Sequence, residues 1–256
     1  MPASRWLLPR EYGAYAELAF PIITAMIAGR PTVAAVGFSV AAAAGFLVHE
    51  PIEVLRGTRG ERRRQTFARQ ARVRIWWLLV AGAAAAAAAL ILAPPSARWA
   101  ALAPGACFVA LIPAIARRRE KTLVAELIMA AGLAAMMLPV GTAAGVSWEY
   151  ALVATAVWFV SFALATLTVH AVKVAYGKKG ARGSVVLTPV LALGVVVGAA
   201  ALAVSSAWPL AGLALLPVPL LALAVTVMRV HPRNLRRVGW SLVVANLGTL
   251  ALLLAA

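Results

Sequence analysis

Residues 40–65, "VAAAAGFLVHEPIEVLRGTRGERRRQ", pass from an unbroken apolar run through His49, Glu50, Pro51 and Glu53 into a cluster of arginines. Apolar runs that stop abruptly at charge recur along all 256 residues, and 63% of the chain is hydrophobic against 12% charged. Soluble domains average about half apolar and a quarter charged. A chain this apolar has too little polar surface to face water as a globule, so its solvent is a bilayer. The runs are too long for barrel strands and lack two-residue alternation, which leaves helices.

A hydrocarbon core of ~30 Å needs ~20 residues per helix. On that measure the spans fall near 13–29, 32–49, 75–94, 98–116, 122–144, 150–172, 184–205, 207–228 and 239–256. The expected fold is all-α: one polytopic domain of nine transmembrane helices over residues 1–256. Interior prolines (Pro21, Pro113, Pro139, Pro189, Pro217, Pro219) are expected to kink spans without ending them, because neighbouring helices satisfy the freed carbonyls. The opening segment has no short apolar core with a small-residue cleavage site, so the first span is expected to be retained.

Charge orients the bundle. With the N-terminus inside, the N-terminal segment and the loops at 50–74, 117–121, 173–183 and 229–238 hold 22 of the 24 Lys and Arg residues. Only Arg30 and Arg98 fall outside. Short loops rich in Lys and Arg stay in the cytoplasm, so the C-terminus is expected outside. The formal charge of +16 therefore reads as topology signals and attraction to anionic lipid headgroups. It does not read as a nucleic-acid face, because the basic residues come in short runs between spans. Cys107 is the single cysteine, which excludes a disulfide framework or a cysteine-based metal site.

"REYGAYAEL" (10–18) and "REKTLVAEL" (119–127) share Arg, Glu, Ala, Glu and Leu at matching places. Each precedes a second span ending in histidine, "VHEPIE" and "VHAVK". Two related halves, 10–116 and 119–228, followed by a ninth helix at 239–256, would place a site between them.

The polar residues of the spans are the candidate site. Glu17 and Glu126 lie about two turns inside the first and fifth spans, where an ionisable group is costly and marks function by default. The competing reading is a structural ion pair. His49 and His170 end the second and sixth spans on one face of the membrane. Glu50, Glu53, Arg56 and His49 share overlapping faces of a helix. Two carboxylates so placed can hold Mg²⁺, which joins protein carboxylates to substrate phosphates. Alternatively, "HEPIE" is a helix stop whose acids offset the neighbouring arginines. No phosphate loop, HExxH motif or Ser-His-acid set occurs.

"LPREYGAYAELAFPII" and "HEPIEVLRG", with the nine-span length, resemble the YwiC-like family of bacterial membrane proteins, which implies an inner-membrane location. The layout also resembles UbiA-type intramembrane prenyltransferases, whose acidic motifs end helices two and six and bind Mg²⁺ and an isoprenoid diphosphate. That resemblance puts Glu50 and Glu53 as metal ligands and, with His49, as catalytic residues. The second motif is replaced by "VHAVKVAYGKKGARG", which has no acid and offers His170, Lys173, Tyr176, Lys178 and Lys179. Together with Arg56, Glu17 and Glu126, those residues are expected to bind an anionic isoprenoid or phospholipid in a cytoplasm-facing cavity, with or without transferase chemistry. A transporter using Glu17 and Glu126, and a non-catalytic assembly partner, are the alternatives.

Overall fold

The computed structural model describes residues 8, 12–117, 119, 121–177, 183–205 and 208–256, and no strand occurs among them. The helices are α1 Tyr12–Ala28, α2 Val33–Leu55, α3 Glu61–Leu92, α4 Pro95–Ala100, α5 Leu102–Ala116, α6 Leu123–Ala135, α7 Met137–Ala143, α8 Trp148–Ala175, α9 Ser184–Ser205, α10 Pro209–Ala214, α11 Pro217–Val227 and α12 Leu235–Leu254. Counting α4–α5, α6–α7 and α10–α11 as one passage each, eight of them are long and apolar enough to cross a membrane, and α1 adds a shorter apolar helix, Gly13–Ala28. The chain is thus a helical, multi-pass membrane protein.

Three expected spans are interrupted, and prolines explain where. A proline in a helix removes an N–H and its ring clashes with the carbonyl four residues back. Pro104, Pro139 and Pro219 point back to Ala100, Ala135 and Leu215. Accordingly, α4 ends at Ala100, α6 at Ala135, and α10 at Ala214 with Leu215 as its cap. Pro21, Pro113 and Pro189 stay inside α1, α5 and α9, as expected. Pro217 opens α11 as its first residue, a position where the missing N–H costs nothing.

The stretch at 40–65 also folds differently from a loop. The second helix runs through Pro51 to Leu55, so Glu50 and Glu53 are helical and buried. A tight turn follows, in which Gly57 and Gly60 take positive φ of 73° and 103°, conformations open to glycine at little cost. The arginine cluster then forms the first turns of α3, with Glu61 in its opening turn, where a carboxylate complements the helix dipole. Where those charges end, Trp76 and Trp77 stand 69% and 70% exposed, the placing of an interfacial aromatic belt.

Helix ends gather at two faces. At one face, Arg30 N–H donates to the Ala144 carbonyl at 2.7 Å. There Thr32 caps α2 and donates to the Ala143 carbonyl at 2.8 Å, and Tyr150 donates to the Leu253 carbonyl at 2.7 Å. Arg98 donates to the carbonyls of Ala93 and Ile91, at the end of α3. The basic segments lie at the opposite helix ends, called here the basic face. Between the faces, α1, α7 and α8 enclose the largest fully buried side chains. Trp158 and Phe162 are fully buried, Trp158 stacks on Phe20 and Phe162 at 5.4 and 5.5 Å, and its indole N–H donates to Thr24 Oγ1 at 3.1 Å.

Candidate functional site

Two adjoining cavities open among the helices near the basic face. The larger, a vestibule of about 380 Å³, is formed where the first turns of α1, α6 and α12 meet the last turns of α2 and α8. These ends come together because every second connection returns the chain to this face. The small residues Gly13 and Gly239 keep the vestibule open, and Glu17, His49, Lys121, Glu126, Lys173 and Asn246 supply its polar lining. The structure therefore brings together five of the residues singled out from the sequence: Glu17, His49, Glu126 and Lys173 in the lining, and His170 bonded to it.

Thr122 caps α6 by accepting from the Ala125 N–H at 3.4 Å, which sets the Glu126 carboxylate one turn inside the helix. Glu126 Oε2 meets His170 Nε2 at 2.7 Å. The imidazole is 10% exposed and the carboxylate 33%. One partner is thus fixed in the protein interior while the other reaches the cavity. Lys121 and Lys173 make no ion pair or hydrogen bond among the described residues. They are the lysines of the vestibule lining. Asn246 is buried on α12; its Nδ2 donates to the Leu242 carbonyl at 2.9 Å, while Oδ1 has no donor.

The second cavity is a slot of about 220 Å³ between α2, α5 and α6, and it shares Ala14, His49 and Met129 with the vestibule. Phe46, Phe108, Leu111 and Leu133 make its walls apolar, and Glu50, Glu53, Arg56 and Arg59 form its polar end. Glu50 is fully buried, and its Oε2 accepts from Arg59 Nη2 at 2.6 Å. Glu53 Oε2 accepts from Thr58 Oγ1 at 2.8 Å. Arg56 donates to the carbonyls of Ile115 and Ala116 at the end of α5. Glu50 and Glu53 thus share a helix face as expected, yet each is engaged by a different neighbour.

That geometry does not suit Mg²⁺. A divalent ion held by two carboxylates needs both to turn to one point, with further oxygen ligands. Here a guanidinium already neutralises Glu50, and Glu53 is turned to a hydroxyl. No cluster of three or more His, Cys, Asp or Glu side chains occurs among the described residues.

Tyr176 stands apart from both cavities. It donates to the Arg229 carbonyl and packs on His231 with ring centroids 4.7 Å apart, so it serves the junction of α8 with the α11–α12 connection. Lys178 and Lys179 lie outside the described residues.

Residues 8–141 match the model of the YwiC-like protein family. The chain belongs to the YwiC-like family. No curated protein and no solved structure matches it. The matched part of this YwiC-like chain carries Glu17, His49, the whole slot with Glu50 and Arg59, and Glu126, whereas His170, Lys173 and Asn246 come from beyond it.

Lys121, Arg59 and Asn246 were missed as site residues. Lys121 and Arg59 are indistinguishable in sequence from the topology-setting basic residues around them. Asn246 did carry a signal, since an amide inside "VVANLGTL" is a polar group in an apolar span.

Proposed function

We propose that this YwiC-like protein binds the head of an anionic amphiphile, an isoprenoid phosphate or a phospholipid, in the vestibule at its basic face. One observation carries the reading: two lysines without carboxylate partners, Lys121 and Lys173, face one cavity, while of its two acids Glu126 is engaged by His170 and Glu17 has a partner of its own. Lysine binds phosphate as a point charge, and the surrounding basic segments add a field that draws anionic headgroups to this face. The apolar wall formed by Met129, Ala165, Val169, Leu242 and Val243 accepts the chain of the same molecule.

In this reading the protein crosses the membrane nine times, with the basic face and the N-terminus in the cytoplasm. Binding is proposed without diphosphate ionisation. The acids matching the first prenyltransferase motif are held by Arg59 and Thr58, and the second motif has none. Transport is the second reading, favoured by the three interrupted spans, since broken helices recur at transporter sites. The buried stack of Phe20, Trp158 and Phe162 follows Glu17 and precedes Ala165 of the lining by about one helical turn, so transport in this reading requires that stack to part.

The test is lipid mass spectrometry on protein purified in mild detergent. Lys121→Gln with Lys173→Gln is expected to reduce co-purifying phosphorylated isoprenoid or anionic phospholipid several-fold, with zwitterionic lipid unchanged. Equal anionic lipid in mutant and wild type overturns the proposal. Flux of a bound lipid across sealed vesicles would favour the transport reading.

A further inference from the structure

The slot carries a separate message, which does not rest on the anionic reading of the vestibule. Glu50 is fully buried, and its two oxygens have different fates: Oε2 is held by Arg59, while Oε1 is buried with no hydrogen-bond donor. A buried carboxylate oxygen without a donor is costly, and such atoms are rare in folded proteins. The residue lines a cavity whose other walls, Phe46, Phe108, Leu111, Met129 and Leu133, are apolar. At about 220 Å³ the slot is much larger than the ~10–15 Å³ that one water centre requires.

We infer that this slot is a binding site for a slender, mostly apolar alcohol whose hydroxyl donates to Glu50 Oε1. The chemistry selects that class from three sides. An ionised carboxylate accepts and cannot donate, so ketones, ethers and esters gain nothing from it. A second cation is disfavoured, because Arg59 already sits on the same carboxylate and Arg56 lines the same end. An anion has no proton to give to the oxygen that lacks a donor. A neutral donor on an apolar chain satisfies the oxygen and fills the walls, and it enters from the bilayer where such molecules reside.

The experiment uses the full chain in nanodiscs of phosphatidylcholine and an octanol bearing a diazirine. Photolabelling is read by mass spectrometry on the α5 peptide containing Cys107, Phe108 and Leu111. Unlabelled 1-octanol is expected to suppress that labelling about tenfold better than methyl octyl ether at equal membrane concentration, the effect of one hydrogen bond to a charged acceptor. In E50Q the amide oxygen must stay on Arg59, so its NH₂ turns to the slot and the advantage of the alcohol should vanish. Gly45→Leu, which projects into the slot beside Phe108, should abolish labelling by either route. Equal competition by alcohol and ether in the wild type overturns the inference and leaves Oε1 to water. So does labelling confined to vestibule residues such as Leu242 and Val243. Because the wild-type comparison alone decides, a variant that misfolds does not shelter the idea.

Discussion

Arg59 reaches back nine residues, across the glycine turn, to hold a fully buried carboxylate. Removing one member of such a pair leaves a buried charge uncompensated, at ~3–5 kcal/mol, whereas replacing both by apolar groups is often neutral. Arg59→Met is therefore expected to destabilise the protein strongly, and the double change Glu50→Met with Arg59→Met to recover most of the loss. Unfolding in mixed micelles measures both. If the two variants lose stability equally, the pair is not coupled and Glu50 owes its place to packing. Trp158 offers a milder case: Trp158→Phe keeps the stack on Phe20 but loses the bond to Thr24, worth ~1 kcal/mol.

At the scale of helices, α2 and α3 pair through small residues. A Cβ on Gly37 would lie 2.9 Å from the Ala85 carbonyl oxygen, and one on Gly82 would lie 3.0 Å from the Ala44 methyl. Close backbone approach of this kind is how helices associate in lipid, where apolar burial gives no net drive. Gly37→Leu should force the pair apart and cost upwards of the ~1–3 kcal/mol typical of overpacking. Ala84→Leu, on the exposed side of α3, should be nearly silent. Similar heat resistance of the two variants in detergent would contradict the close pairing. The spans themselves were legible because each apolar run between charges has the length of one bilayer crossing. Their interruptions were not, since Pro104 stands in an apolar run like the prolines that stay inside their helices, and a break falls four residues ahead of the proline that causes it. The site was legible in part. Glu17, Glu126, His49, His170 and Lys173 are conspicuous as polar residues at apolar span ends. The choice of partner was hidden, because Glu50 meeting Arg59 and Glu126 meeting His170 depend on how the helices pack.

For the whole molecule, the separation of helix ends into two faces gives the orientation a direct test. A reporter fused after Ala256 should be active only outside the cell, and one inserted in the 173–183 connection only inside. Cytoplasmic activity at the C-terminus would mean that α1 or one interrupted passage does not cross, and the nine-span count would fail. The proposed relation between the halves 10–116 and 119–228 has its own readout. Cysteines placed at Val48, in the slot wall, and Val169, in the vestibule wall, should be joined by a flexible bifunctional thiol crosslinker, and failure across neighbouring pairs would argue against it.

The Trp76–Trp77 pair on α3 has a further consequence. From Trp76 to Leu92, and likewise along α1 and along α2 up to His49, the apolar length is only about 24–26 Å at 1.5 Å per residue. A typical hydrocarbon core is ~30 Å thick, and helices shorter than their surroundings thin the lipid beside them at a cost that grows with each ångström. These three helices should accordingly match a thin bilayer, to which the longer α8 and α9 can adapt by tilting. The protein's thermal midpoint in vesicles is expected to fall as the acyl chains lengthen from dimyristoyl to dieicosenoyl phosphatidylcholine, and a rise along that series would contradict the match.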